Sequence, residues 1–433
     1  MTFCLADAES MRLLATRLDE AAGEITRLQG GSVAVGLPIT APRELAHYER
    51  PLRDLVEWCH SSAADLRRRA AVAAQADLIP SSEGANLHEA LKTAAAGGID
   101  AELAAFDMLG ADVADFFAGL TPGRALAVAL ARAGEVGGRG GAPFELRFAA
   151  NRHLVRLAHA EAVRVGDKAA ADRYKRLLEP GRRLLLFDPR GAGRIAEVKG
   201  DLSSATSVTV MVPGTGNDLS TYDRSPLGAL LAVHRLADRF SRGKTATIMW
   251  LGTDLPPNVP AAATRLYAER GGPKLREFME GLDLADSVNT TAIGHSYGST
   301  VTGHAVRAGL KVDNLVAVAS PGWGVDEAAD LKAPTTRLYA VRHPDDFISV
   351  VPPIDGLAPP LSSLGHGADP VFMDGVTRMA SGNDDQLLPV GVNLDAHSDY
   401  FAGAGRSRVA THNIAVIVAG GCPTTFEAAR AAR

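Results

Sequence analysis

The chain has 433 residues, of which 46% are hydrophobic, 22% are charged and only 5% are aromatic. This is the composition of a globular protein that is long enough for two or three domains and builds its core from aliphatic side chains. The formal net charge of -5 gives no electrostatic reason to expect nucleic acid as a ligand. No apolar run reaches the roughly 18 residues that a transmembrane helix needs.

The three cysteines, Cys4, Cys59 and Cys422, are far apart and show neither a paired nor a metal-binding spacing. They are typical of free thiols in a reducing compartment, and they predict no metal site. The first nine residues lack a basic region followed by an apolar stretch, which argues against a cleaved secretory signal. We therefore expect a cytoplasmic protein, with export without a cleaved signal as the alternative.

Apolar residues at helical spacing predict an all-helical domain over residues 1–180. Two long helices are predicted over residues 10–28 and 42–77, and the Gly- and Pro-containing loop between them favours an antiparallel hairpin. Further helices are predicted over residues 86–95, 100–118, 122–133 and 149–178. If the protein has a protein partner, we expect the partner to bind these N-terminal helices.

After Pro180 the pattern changes, and strands alternate with helices over residues 181–433. The first two strands, residues 183–188 and 194–198, flank a Pro- and Gly-rich turn and predict a β-hairpin. Strands are further predicted at 207–212, 245–251, 287–293, 315–319 and 337–341, and helices at 227–239, 260–280, 299–308 and 407–418. Such alternation predicts an α/β domain whose mostly parallel sheet is covered by helices on both faces.

The segment Gly294-His295-Ser296-Tyr297-Gly298 has the pattern Gly-x-Ser-x-Gly. A β-prone run precedes it and a small-residue helical stretch follows it. Strand, tight turn and helix are the setting of a nucleophile elbow, in which the serine hydroxyl projects from the top of a sheet. The two glycines lack Cβ and would allow strand and helix to approach closely. Ser296 is therefore the predicted nucleophile.

A serine hydroxyl needs a base to take its proton, and a carboxylate to orient that base. In this setting the chain order is serine, acid, histidine. The strand at 337–341 leads into Asp345 and Asp346; we favour Asp346 as the acid because apolar residues after it can anchor the loop, and Asp345 is the alternative. Of the 12 histidines, His397 is the favoured base, because it lies in a polar loop ahead of the last helix.

Acyl transfer also needs hydrogen-bond donors that face the developing oxyanion. One is the backbone N–H of Tyr297, which follows the nucleophile. The other is expected from the glycine-rich loop after the strand that ends at Val212, with Thr215 favoured and Gly216 second, although the loop could also be a simple turn. The possible pocket residues are Trp250, Asp254, Gly214, Gly216 and His295.

Five segments together resemble the α/β-hydrolase fold, and within it a poorly characterised actinobacterial branch with a helical N-terminal segment. They are Pro213-Gly214-Thr215-Gly216, Trp250-Leu251-Gly252-Thr253-Asp254, the elbow, Ser320-Pro321-Gly322 and His397-Ser398-Asp399-Tyr400-Phe401. The resemblance covers roughly residues 181–433. It implies a Ser-Asp-His hydrolase with Ser296, Asp346 and His397 in those roles.

The first helical hairpin is also similar to small helical-hairpin proteins handled by specialised secretion systems. Gly30-Gly31 stands where those proteins have Trp-x-Gly, so this likeness is limited to the hairpin pattern.

The expected activity is hydrolysis of a carboxylic ester or related acyl bond in a small molecule through an acyl-serine, with no metal or organic cofactor. The same three residues would serve a thioesterase, a peptidase or an acyltransferase. A different class remains open as well, namely a secreted effector or partner-binding protein in which the helical half carries the main role.

Overall fold

The computed structural model describes residues 98–110, 112–350, 365–382, 395–403, 405 and 407–432, and within the first 63 residues 16–23, 26, 27, 56, 57, 59, 60 and 63. Its contacts divide the chain into two compact units. One comprises residues 1–101 with 122–127, and the other comprises residues 102–121 with 128–433. None of the helices in the described ranges is long and apolar enough to cross a membrane.

In the first unit, residues 16–23 are helical. The ring atom Nδ1 of His60 lies 3.1 Å from Oδ1 of Asp19, and Ala22 and Cys59 are buried. Most of the predicted helices at 10–28, 42–77 and 86–95 lies outside the described residues. The hairpin, and a domain boundary at residue 180, therefore stay predictions.

Three of the predicted helices are each interrupted. The observed helices are α1 Asp100–Asp107, α2 Val113–Ala118, α3 Pro122–Ala131, α4 Ala133–Val136, α5 Phe144–Val165 and α6 Lys168–Leu177. The break between α5 and α6 has a clear cause, since Gly166 has φ of 78° and ends α5 in the left-handed conformation. Asp167 then accepts a hydrogen bond from the N–H of Ala170 and caps α6.

Two buried polar side chains of α5 hold this helix against the sheet. The guanidinium of Arg147 donates to the carbonyl of Leu185 at 3.3 Å, and the amide of Asn151 donates to the carbonyl of Leu184 at 2.9 Å. Burial lowers the pKa of Arg147 to about 10. Residues 144–177 thus pack on the sheet whose first predicted strand begins at residue 183.

The sheet has eight strands, in the order β1-β2-β4-β3-β5-β6-β7-β8. They are β1 Arg183–Asp188, β2 Arg194–Lys199, β3 Ser207–Val212, β4 Thr245–Leu251, β5 Asn289–His295, β6 Asn314–Val318, β7 Arg337–Val341 and β8 Thr377–Arg378. The hairpin partners β1 and β2 are antiparallel, β2 also pairs antiparallel with β4, and the other pairs are parallel. The predicted mostly parallel sheet is confirmed, and the short β8 is an addition.

Helices cover both faces of this sheet. They are α7 Pro226–Ser241, α8 Leu266–Glu280, α9 Tyr297–Arg307, α10 Ser407–Val418 and α11 Phe426–Ala431. His234 of α7 lies against Thr247, whereas Phe278 of α8 packs against Trp250. Because side chains three apart on a strand point to opposite faces, α7 and α8 cover opposite sides. The core lies between, and every residue of β3, β4 and β6 is buried.

Candidate active site

The predicted elbow forms at the end of β5. Ser296 has φ of 53° and ψ of -128°, an unusual backbone conformation for a residue with a side chain. A Cβ at Gly294 would collide with the backbone of Ser299, and a Cβ at Gly298 would collide with the carbonyl of Val212. The two glycines are therefore what lets α9 start directly over β5 and β3.

The backbone of Ser296 is fixed from both sides. Its N–H donates to the carbonyl of Val318 on the adjacent strand at 2.9 Å. Its carbonyl accepts from the hydroxyl of Ser299 at 2.6 Å, and that hydroxyl also lies 2.6 Å from the hydroxyl of Ser320. These bonds hold the strained residue in place, with its side chain facing a cavity at the carboxyl edge of the sheet.

The predicted acid and base are hydrogen-bonded to each other. Nδ1 of His397 lies 2.8 Å from Oδ1 of the fully buried Asp346. The same carboxylate accepts from the N–H of Ile348 at 3.0 Å and from the hydroxyl of Tyr400 at 2.7 Å. His397 thus meets the carboxylate of Asp346, and this geometry favours Asp346 over the neighbouring Asp345.

The charge state of this pair follows from its partners. Burial would raise the pKa of Asp346, but the hydrogen bonds from His397, Ile348 and Tyr400 outweigh burial and hold the pKa below its ordinary value. Asp346 is therefore a carboxylate, which can only accept, so His397 donates through Nδ1. In the neutral ring this leaves Nε2 as the atom able to accept a proton.

His295 supports the loop that carries His397. Its Nε2 lies 2.8 Å from the backbone carbonyl of His397, and the two rings are 5.1 Å apart. Burial, together with the nearby His397, lowers the pKa of His295 to about 4. His295 is therefore a neutral ring that donates this hydrogen bond.

The loop after β3 approaches the nucleophile closely. A Cβ at Gly214 would lie 2.6 Å from Cβ of Ser296, so only glycine leaves the hydroxyl accessible there. The side-chain amide of Asn217 donates to the carbonyls of Gly214 and Thr215, at 3.0 and 3.4 Å. In a trans peptide the N–H points opposite to the carbonyl, so the N–H of Thr215 is directed away from Asn217.

Gly216 was the second choice for an oxyanion donor. Its N–H donates to the carbonyl of Pro256 at 2.8 Å and is thereby occupied. The geometry therefore favours Thr215. The other predicted donor, the N–H of Tyr297, belongs to the first residue of α9, where an N–H has no partner within the helix.

Two of the predicted pocket residues lie elsewhere. Trp250 is buried in the core and packs against Phe278 on the α8 face. Asp254 is half exposed and forms an ion pair with Arg194 at 2.7 Å. Neither residue lines the cavity that contains Ser296, whereas Gly214, Gly216 and His295 do.

The cavity has a volume of about 560 Å³ and is lined by Ser296, His397, Tyr297 and Thr215 among others. A volume of this size suits a small-molecule ligand. Its lining includes Phe347, whose ring lies 4.5 Å from that of His397. Four residues predicted for the site, Ser296, His397, Tyr297 and Thr215, thus line the same cavity.

Sequence reasoning did not single out His366. Its ring is buried, Nε2 lies 2.7 Å from the carbonyl of Ala262, and Nδ1 lies 3.2 Å from the hydroxyl of Thr300. Burial lowers its pKa to about 4. The two flanking glycines, Gly365 and Gly367, both have positive φ. This Gly-His-Gly pattern is the sequence signal that could have indicated an ordered turn.

These features define the α/β-hydrolase fold. The strand order, the elbow after β5 and the Asp-His pair after β7 together have the α/β-hydrolase arrangement. The model of a family described as "Alpha/beta hydrolase" matches residues 188–356. This match covers the sheet from the end of β1 to just beyond Asp346.

Relatives occur in mycobacteria. The chain is 29% identical over 245 residues to the uncharacterized protein Rv2079 of Mycobacterium tuberculosis, covering 50% of this chain and 36% of that one. It is also 29% identical over 228 residues to the uncharacterized protein Mb0988c of Mycobacterium bovis, covering 46% and 84%. The chain thus spans about a third of the length of the first of these. The predicted actinobacterial branch is confirmed.

Among solved structures, the esterase LipW from Mycobacterium marinum is 12% identical with a TM-score of 0.32, covering 62% of this chain and 94% of that one. A predicted CIB-like hydrolase from Thermoplasma acidophilum is 14% identical with a TM-score of 0.32, covering 55% and 99%.

Proposed function

We propose that this protein is a serine hydrolase that cleaves a carboxylic ester or related acyl bond through an acyl-serine intermediate. The observation that carries the proposal is that His397, hydrogen-bonded to the buried Asp346, lines one cavity with the elbow residue Ser296. A serine hydroxyl is a weak nucleophile, and this arrangement supplies the base that activates it.

In the first step, Ser296 Oγ attacks the substrate carbonyl carbon while Nε2 of His397 takes the hydroxyl proton. The carbonyl oxygen becomes an oxyanion, which the N–H groups of Tyr297 and Thr215 stabilise. The intermediate collapses when the C–O bond to the alcohol breaks. His397 gives its proton to the departing oxygen, and the acyl group stays on Ser296.

In the second step, water takes the place of the alcohol. His397 removes a proton from the water, whose oxygen attacks the acyl carbon. The same two N–H groups receive the second oxyanion. Collapse breaks the bond to Ser296 Oγ, which regains its proton from His397, and the free acid leaves.

Asp346 acts through the base. Each step passes through a positively charged His397, and a buried carboxylate 2.8 Å away stabilises that charge. The tyrosine hydroxyl and the N–H of Ile348 keep the carboxylate in place and ionised. The protein thus holds a negative charge ready for a positive charge that exists only during the reaction.

The test is labelling by a fluorophosphonate probe, which reacts covalently with activated serines. We expect the wild type to label and Ser296→Ala to lose labelling completely. The matched control is Ser398→Ala, because Ser398 also lines the cavity but is not at the elbow; this variant should label like the wild type. Absence of labelling in a folded wild type, or persistence in Ser296→Ala, would contradict the proposal.

An ester and thioester panel then separates the acyl chemistries that share these residues. Preference for oxygen esters over thioesters and amides supports the esterase assignment. Turnover of thioesters or peptides alone would move the assignment to those classes while leaving the roles of Ser296, Asp346 and His397 unchanged.

A further inference from the structure

The innermost wall of the cavity is formed by three side chains from three adjacent strands. Met211 of β3 pairs in register with Met249 of β4 on one side and with Ile293 of β5 on the other. Residues paired in register point to the same face of a sheet. All three are at most 2% exposed and line the cavity. We call Met211, Met249 and Ile293 the inner wall.

The inner wall belongs to the face that α7 covers. Thr247, two residues before Met249, points the same way and contacts His234 of α7. At the start of α7, Pro226 and Ala229 line the same cavity. The space next to the inner wall is therefore closed on one side by the sheet and on the other by the first turns of α7.

The described part of this lining carries no permanently charged side chain. Among the described residues that line the cavity there is no Lys, Arg, Asp or Glu. The three histidines of the lining are His295, His366 and His397, and burial lowers the pKa of His295 and of His366 to about 4, so both are neutral near pH 7. A charged substituent that entered this space would lose its water without gaining a partner.

We propose that the space between the inner wall and α7 binds the acyl chain of an uncharged, apolar ester, and that Ala229 limits the length of that chain. This inference rests on the proposed function. Ala229 carries the smallest side chain among the α7 residues of the lining, so a longer side chain there shortens the space directly.

The order in which the two products leave assigns the enclosed space to the acyl group. The alcohol leaves first, while the acyl group is still bound to Ser296. An alcohol in the enclosed space would have to leave past the acyl-serine, whereas an acyl chain there can stay until water releases it. The apolar acyl chain also gains most from burial against methionine and isoleucine side chains.

The experiment measures kcat/KM for p-nitrophenyl acetate, butyrate, hexanoate, octanoate and dodecanoate with the wild type and Ala229→Leu. The matched control is Ala232→Leu, an alanine of the same helix that does not line the cavity. We expect Ala229→Leu to lower the ratio of octanoate to acetate turnover by at least about 10-fold, since pocket discrimination per methylene is of that order. Ala232→Leu should leave the ratio unchanged.

A second comparison tests charge. The mono-p-nitrophenyl ester of suberic acid matches octanoate in length but ends in a carboxylate. We expect it to be at least about 100-fold poorer than the octanoate ester, because the described lining offers the desolvated carboxylate no Lys or Arg. Equal turnover of the two esters would overturn the assignment of an uncharged chain.

Labelling by a short ethyl fluorophosphonate distinguishes a failure of the acyl-chain inference from a failure of the proposed function. If Ala229→Leu labels normally but its chain-length profile matches that of the wild type, the acyl-chain inference is wrong and the proposed function stands. If the wild type does not label, both fall together. Should Ala229→Leu fail to fold, Met249→Ala gives the opposite test: enlarging the space must raise dodecanoate relative to octanoate, and an unchanged ratio would overturn the inference.

Discussion

Two fully buried carboxylates in this protein have different partners. Glu197 on β2 lies 2.7 Å from the guanidinium of Arg182 and 2.9 Å from the ammonium of Lys199, and it accepts from the hydroxyl of Tyr222 at 3.1 Å. Arg182 also pairs with Asp223. Glu197 therefore sits in a network of permanent charges that joins β2 to the segments around it.

Asp346 also accepts from a buried tyrosine, Tyr400, and a further side-chain partner among the described residues is His397. Burial raises the pKa of both Tyr222 and Tyr400, so both tyrosines remain protonated donors. The difference lies in the cation. Glu197 is neutralised at all times, whereas Asp346 faces a ring that becomes positive only when it takes a proton. The permanence of the partner separates a structural carboxylate from one available to chemistry.

The largest expected effect is on the Asp346 side. Asp346→Asn keeps the shape but removes the charge that stabilises protonated His397 and fixes its tautomer. We expect kcat to fall by about 10,000-fold while the protein stays folded. Steady-state hydrolysis of p-nitrophenyl butyrate measures this.

Asp345→Asn is the matched control for this prediction, because the two residues are adjacent and identical. We expect it to retain activity within a few-fold of the wild type. A reversal, with Asp345→Asn inactive and Asp346→Asn active, would make Asp345 the acid and remove the basis of the comparison.

The next largest effect is a loss of stability when Glu197 is replaced. Glu197→Gln leaves the buried guanidinium of Arg182 and the ammonium of Lys199 short of a counter-charge. We expect the free energy of unfolding to fall by about 3 to 5 kcal/mol, with kcat per folded molecule unchanged. Urea unfolding followed by circular dichroism gives the free energy of unfolding. The steady-state rate divided by the active sites titrated with the fluorophosphonate gives kcat per folded molecule.

An exposed ion pair serves as the control here. Glu161 pairs with Arg164 on the surface of α5, and Glu161→Gln should leave the urea midpoint unchanged. If Glu197→Gln lowered kcat of the folded enzyme by orders of magnitude, the division into a structural and a chemical carboxylate would be wrong.

The smallest effect concerns Tyr400→Phe, which removes one donor to ionised Asp346 and the hydroxyl that accepts from the N–H of His343. We expect a loss of about 1.5 kcal/mol in the free energy of unfolding near pH 7. The folded-state pKa of Asp346 lies below its ordinary value of 3.8, so the stabilisation is complete above that value and is lost as pH falls through the folded pKa. The gap between wild type and variant should therefore narrow at acid pH, leaving the part due to the bond from His343.

Tyr174→Phe controls for the loss of a buried tyrosine hydroxyl. Tyr174 is buried and packs edge-on against Phe187 at 5.7 Å. Its effect on the free energy of unfolding should not vary with pH in the acid range. A gap for Tyr400→Phe that does not narrow as pH falls through the folded-state pKa of Asp346 would mean that its hydroxyl stabilises the protein without acting on the Asp346 charge.

Much of the sheet and the elbow could be predicted because their signals are local. The strands at 183–188, 207–212, 245–251 and 337–341 have their predicted ends, since each is a β-prone run between turn residues. The positions of Gly294 and Gly298 follow from a steric need within five residues. The expected chain order of serine, acid and histidine then indicated Asp346 and His397, and these two side chains are hydrogen-bonded to each other in the structure.

The pocket could not be predicted in the same way, because it depends on which face of a strand each residue occupies. Trp250 was expected near the site, but its neighbour Met249 lines the cavity instead. Successive residues of a strand point to opposite faces, so an error of one position exchanges core for cavity. Asn217 and His366 were missed for a related reason: their partners become neighbours only in the folded chain.

The backbone of Ser296 has a consequence for anyone who tries to make this protein more robust. Its φ of 53° and ψ of -128° cost a side-chain-bearing residue about 1 to 3 kcal/mol, and glycine would relieve that cost. A selection for thermal resistance alone would therefore reward the replacement of the proposed nucleophile. Any evolution experiment on this chain has to score turnover in every round, or it will enrich heat-tolerant proteins that no longer react.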